Sequence, residues 1–104
     1  MEFPERIELQ LKTKHFIDVQ YSDPYDCVVS RALRELFGRQ AEVSPYDAAI
    51  IDVDRVHSCD HDYPTLATYT LSYGYLTCRE DTNNSQRSDD LEQVINTITL
   101  TKVQ

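Results

Sequence analysis

Glycine is nearly missing from this 104-residue chain, with two in all, Gly38 and Gly74. A phosphate-cradling loop needs glycines where backbone amides close on an anion, so nucleotide binding of that kind is excluded. Cysteine is scarce and odd in number: Cys27, Cys59 and Cys78. Widely spaced and unpaired in count, these do not make a disulfide scaffold, and reduced thiols in a cytoplasmic setting are expected. Long apolar runs are also lacking. The longest is Ala48-Ala49-Ile50-Ile51, far short of the ~20 residues that cross a bilayer. The opening Met1-Glu2-Phe3-Pro4-Glu5-Arg6 has no basic stretch followed by an apolar one, so no secretory leader and no membrane partner are expected. Positive charge is short as well, with 10 Lys and Arg against 18 Asp and Glu, a net charge of −8. Direct nucleic-acid binding is therefore disfavoured, because phosphates are held by cations.

What is present suffices for one folded domain spanning residues 1–104. The hydrophobic fraction is 40%, enough to build a core. The acidity is uneven: six basic against eight acidic residues in 1–44, and four against ten in 45–104. The second half should project the stronger negative field and steer a cationic surface toward itself.

Periodicity divides the chain. Residues 6–13 alternate, with Ile7, Leu9 and Leu11 on one side and Glu8, Gln10 and Lys12 on the other, a half-buried strand; Phe16, Val19 and Tyr21 would prolong the extended stretch. Residues 22–38 read as a helix: Ser22 or Asp23 caps it, Pro24 suits its first position, and Gly38 stops it. Its apolar stripe is Val28, Val29, Ala32, Leu33, Leu36 and Phe37. Ser44-Pro45-Tyr46-Asp47 is a turn. Residues 48–56 form a second strand, central at its apolar start, and 58–64 a polar connection. Residues 65–79 are a long β-prone run that Gly74 would bend, and 80–88 read as a loop. Asp89, with Glu92 three residues on, predicts a short helix ending near Asn96, then a strand through Ile98 and Leu100; a strand over 94–103 is the competing reading. Together these predict an α+β fold, a mixed or antiparallel sheet of about four strands covered by one main helix, with an optional short C-terminal helix.

Several groupings invite chemistry. His57, Cys59 and His61 alternate, and with Cys78 they offer zinc-type ligands. Neighbouring ligands in an extended chain lie about 6–7 Å apart, however, which suits a tetrahedral ion only if the chain bends. Cys27 falls in the first turns of the predicted helix, where a thiol pKa can drop; Asp23 and Asp26 oppose a thiolate there, and a small buried cysteine is the expectation. Asp52 and Asp54 share a side of their strand, yet the glycine and terminal glutamate of a calcium loop are missing. Arg31 and Arg34 lie on one helical face and form the basic grouping an RNA would need; pairing with Asp26 or Glu35 is the plainer role.

No catalytic constellation emerges, and no cofactor is expected apart from the zinc alternative. The acids and tyrosines of the second half suggest a binding face instead, built from Asp52, Asp54, Asp60, Asp62, Tyr63, Tyr73, Tyr75, Asp89 and Asp90, with Tyr46 and Tyr69 in support. Tyrosine supplies rigid apolar area with a polar tip, and the carboxylates suit a partner with a basic surface. In size, acidity and lack of an enzyme motif the chain resembles small accessory proteins of phages and mobile elements. The expected function is non-catalytic protein binding, as an inhibitor or adaptor that blocks a nucleic-acid-handling partner. The alternatives are a metal-binding module or small metal-dependent enzyme at His57, Cys59 and His61, and a homo-oligomer.

Overall fold

Alternation alone makes the first strand. In β1 (Arg6–Lys12), Ile7, Leu9 and Leu11 are buried while Arg6, Glu8 and Gln10 are exposed. The computed structural model describes residues 3–20, 23–51, 64–73, 75–87 and 89–103. β1 does not run on through Phe16; it closes into a 3₁₀ turn, Thr13–Phe16. That turn is tied across the chain, with the Thr13 amide donating to the Gln93 carbonyl at 3.0 Å and the Lys14 amide to the Leu91 carbonyl at 3.1 Å.

The main helix is shorter than its sequence suggests. α1 spans Val28–Phe37, with Cys27 as its extended N-cap. Pro24 does not open it. Asp23 takes the Tyr25 amide on its side chain at 2.9 Å and the Asp26 amide on its carbonyl at 3.2 Å, a turn rather than a helix. The Pro24 carbonyl accepts the Val43 amide at 2.8 Å, which removes it from any helical ladder. The predicted stop is where it should be: Gly38 is left-handed, φ 67°, and its amide donates to the Arg34 carbonyl. A Cβ there would meet nothing within 4 Å, so the cost of a side chain is conformational. Gly38→Ala is expected to lower stability by about 1 kcal/mol, read as a shift in the urea midpoint at unchanged m.

After α1 the chain forms a meander of β2 (Ala41–Val43), β3 (Asp47–Ile51) and β4 (Thr65–Thr70). The turn Ser44–Asp47 closes the first hairpin, with the Ser44 hydroxyl donating to the Asp47 carbonyl at 3.2 Å. The long β-prone run predicted over 65–79 is cut at Thr70. α2 (Tyr75–Ser85) follows, in place of the loop predicted over 80–88. Its inward residues, Cys78, Asp81 and Ser85, recur at helical spacing but are small or polar, so apolar periodicity gives no sign of the helix. The short helix predicted from Asp89 is likewise absent. Asp90 instead caps a turn, its side chain accepting the Glu92 amide at 3.0 Å, and β5 (Val94–Lys102) runs as one strand of nine residues. β-branched residues, which favour a pleated surface, win over the helical spacing.

The fold is α+β, with two helices against an antiparallel sheet of five strands in the order β1-β5-β4-β3-β2. The start of β3 lies inside the sheet, as its apolar faces predict. Ile7, Leu9, Leu11, Ala48, Ile50, Ala67, Tyr69 and Leu100 share one core with Val28, Val29, Ala32 and Leu33 of α1. α2 lies on the same side, where Asn96 donates to Asp81 at 2.9 Å. The opposite face carries Glu8, Gln10, Thr70, Thr97, Thr99 and Thr101, all exposed. No described helix is long and apolar enough to cross a membrane.

The sheet is staggered. β4 meets β5 through Tyr69–Lys102 and Thr70–Thr101, at the far end of each strand. The pair β1/β5 and the trio β2/β3/β4 therefore extend in opposite directions, and the longest dimension reaches 39 Å. Lys12 and Val94 mark one end, and Ile51 and Thr65 the other.

Candidate functional site

Asp89 and Asp90 are both exposed on the turn that leads into β5. Besides the Asp90 side-chain cap, the Gln93 amide returns to the Asp90 carbonyl at 3.1 Å. The next residues bind the 3₁₀ turn through the Leu91 and Gln93 carbonyls, so the acidic turn sits on a fixed base. An ion-pair cluster adds to these bonds. Glu92 accepts Lys12 at 2.9 Å and Lys14 at 2.8 Å, and Lys14 also reaches Glu35 of α1 at 2.9 Å. Hydrogen bonds from Lys14 and Lys12 hold the Glu92 carboxyl down at about 2. Lys14 likewise holds Glu35 below its usual range, and Glu92 with Glu35 holds Lys14 above its own. The cluster contains nothing placed to react.

His15 is the histidine that the described residues place in detail. It is 5% exposed. Its Nδ1 accepts the Lys12 amide at 2.9 Å, and its Nε2 lies 3.4 Å from Glu35 Oε2. Burial lowers its pKa more than Glu35 raises it. This cluster carries no local sequence signal, because Lys12 and Lys14 meet Glu92 from some eighty positions away.

The tyrosines part company. Tyr46, on the hairpin between β2 and β3, is 78% exposed. Tyr69 is fully buried, and its hydroxyl donates to the Pro4 carbonyl. Tyr73, expected on the binding face, is withdrawn to 8% exposure, and its hydroxyl donates to Asp81 at 2.7 Å. The correction has a physical reason: Asp81 is itself buried and needs donors, which Tyr73 and Asn96 supply. Tyr75 begins α2; its side chain, with those of Asp52, Asp54, Asp60, Asp62 and Tyr63, lies outside the described residues. The described neighbours of that acidic segment, Ile51 and Thr65, stand at the opposite end of the sheet from Asp89 and Asp90.

Neither described cysteine is poised for chemistry. Burial raises the Cys27 thiol, outweighing the backbone amides of Val29 and Ser30 that would lower it. Burial also pushes Cys78 to about 11. Among the described residues no three His, Cys, Asp or Glu side chains are grouped to hold a metal ion; His57, Cys59 and His61 lie outside them. The arginines are committed. Arg31 bonds Asp26 at 2.9 and 3.1 Å and also donates to the Ile17 and Asp18 carbonyls, and Arg34 stands 3.7 Å from Asp26. Arg31 accordingly holds the Asp26 carboxyl below its usual range. That is the plainer role expected of the pair. With this geometry in hand, comparison adds no relative: no family model, no curated protein and no solved structure matches this chain.

Proposed function

We propose that this chain is a non-catalytic protein-binding module, an inhibitor or adaptor that takes a basic surface of its partner on the Asp89–Asp90 turn. The observation that carries this reading is an exposed acidic pair on a turn that two backbone bonds join to the 3₁₀ turn. The nearby cations Lys12 and Lys14 are already engaged by Glu35 and Glu92. The net charge of −8 adds long-range attraction for a cationic surface. Leu91 beside it is exposed and supplies apolar area at the same place. A partner whose own function is to hold nucleic-acid phosphates would present the matching arginines and lysines.

The test is capture of partners from the source cells at low and moderate salt. The wild-type chain is compared with two charge-reversed variants, Asp89→Lys/Asp90→Lys and Asp60→Lys/Asp62→Lys. The first is expected to weaken capture of a basic partner by about tenfold, equal to roughly 1.4 kcal/mol, with the wild-type interaction also fading as salt rises. Capture that both reversals leave unchanged across the salt range would overturn the electrostatic reading. Loss on reversal of Asp60 and Asp62 alone would move the contact to the other acidic segment.

A further inference from the structure

We propose that His15 is an acid-released latch: a proton arriving at Nδ1 breaks its bond with the Lys12 amide and frees the 3₁₀ turn from residues 91–93, while the rest of the core stays folded. The latch is independent of whether the acidic turn binds a partner.

The geometry assigns the tautomer. Nδ1 accepts the Lys12 amide at 2.9 Å, so in the neutral ring the proton is on Nε2, directed at Glu35 Oε2, 3.4 Å away. A cationic ring carries protons on both nitrogens. Its Nδ1–H would then face the Lys12 N–H, donor against donor, in a site from which water is largely excluded. The surrounding charges do not rescue the cation. From β1 comes Lys12 and from the turn itself Lys14, both opposing a positive ring. α1 brings Glu35, but Lys14 holds the same Oε2 at 2.9 Å. The segment before β5 brings Glu92, which binds both lysines. On α2, which packs against the turn, the buried carboxylate is Asp81, taken up by Tyr73 and Asn96.

Two amides, Thr13 and Lys14, tie the turn to Gln93 and Leu91. The ion pairs of Lys12 and Lys14 with Glu92 add to them, but Glu92 is exposed, and solvent-facing pairs of this kind contribute little. The Thr13 hydroxyl is buried without a partner, a standing cost to the closed state. Such a segment opens locally before the sheet does.

The sign follows from linkage. In the closed state the His15 pKa is lowered from 6.5, while in the open state the ring is exposed and ordinary. The open state therefore binds protons more readily, and opening grows as pH falls below about 6.5. The carboxylates of the cluster titrate lower, Glu92 at about 2, so they do not share this window.

The experiment is residue-resolved amide exchange by NMR on the whole chain, corrected for the intrinsic pH dependence. Protection at Thr13 and Lys14 should fall between about pH 7.5 and about pH 5, by up to roughly thirtyfold, the ceiling set by an ordinary open-state histidine. Ile50 and Leu33 should not follow. His15→Asn keeps an acceptor near the Nδ1 position for the Lys12 amide without titrating and should flatten the effect. Should that variant not fold, the wild-type imidazole nitrogens provide the second reading. An Nε2–H tautomer whose titration coincides with the loss of protection supports the latch. An Nδ1–H tautomer, pH-independent protection at Thr13 and Lys14, or an equal loss at Ile50 would each overturn it.

Discussion

Tyr69→Ala is expected to destabilise the protein by about 4 kcal/mol, the largest single effect of any substitution considered. Tyr69 is the largest fully buried side chain among the described residues. It stands on β4 opposite Ala48 of β3 and Lys102 of β5, where the two halves of the staggered sheet meet. Its ring stacks on Phe37 of α1 with centroids 6.5 Å apart, and Phe37 in turn meets Phe3 at 5.4 Å. Truncation therefore opens a cavity at the contact between helix and sheet and loosens the N-terminal segment, whose Pro4 carbonyl loses the Tyr69 hydroxyl. Tyr69→Phe separates the two contributions. It keeps the ring and removes the hydrogen bond, so a loss of about 1 kcal/mol is expected. Urea denaturation followed by circular dichroism measures both, provided the transitions remain two-state. A Tyr69→Ala loss no larger than that of Tyr69→Phe would show that the cavity collapses at no cost. The packing account would then be wrong.

Leu33→Ala is expected to cost about 3 kcal/mol, and Leu36→Ala less than about 0.5. The two leucines lie three apart on α1 and belong to the same predicted stripe. The structure separates them sharply: Leu33 has no exposed surface, whereas Leu36 is 55% exposed. Leu33 packs among Val29, Ala32 and the strand residues of the core, and its removal leaves a void that close-packed neighbours fill only partly. More than half of Leu36 already faces water, so its truncation removes less buried area. Helix propensity is not a confounder, because alanine is at least as good a helix former as leucine. Equal losses at the two positions would contradict the burial difference. The Tyr69→Ala and Leu33→Ala losses are large against the roughly 5–15 kcal/mol typical of a folded domain.

These contrasts also show which parts of the fold are legible from residues alone. β1 could be read because Ile7, Leu9 and Leu11 repeat at the period of a strand and meet one core. The end of α1 could be read because Gly38 tolerates the left-handed conformation that closes a helix. Its beginning could not: the Pro24 carbonyl is claimed by Val43, a residue of another element, and no local pattern reports that. α2 was missed because its inward face is Cys78, Asp81 and Ser85 rather than leucine and valine. At β5 two local patterns competed, the helical spacing of Leu91, Val94, Ile95 and Ile98 against the β-branched content. The strand won because β1 offers partners along its whole length.

For the candidate site the division is similar. Asp89 and Asp90 were recognisable as acids of the charged second half, although Asp89 read as the cap of a helix where the chain makes a turn. Tyr73 was not recognisable as a core residue, since a tyrosine reads the same whether its hydroxyl meets water or Asp81. His15 offered no signal, because its bond to the Lys12 amide exists only where β1 closes into the 3₁₀ turn, and Glu35 and Glu92 arrive from distant segments.

By itself the sequence determined the α+β class, the acidic excess, the first strand, the core of the main helix and its stop. These depend on periodicity, charge and backbone preference, which are properties of neighbours along the chain. Tertiary structure decided the stagger of the sheet, the start of α1, the polar inner face of α2, the withdrawal of Tyr73 and the setting of His15. The start of α1, the inner face of α2 and the setting of Tyr73 and His15 each depend on polar groups meeting partners that no periodicity reports, and the stagger on which ends of β4 and β5 pair. The cost of leaving such a group unpaired is felt only once the chain has closed around it.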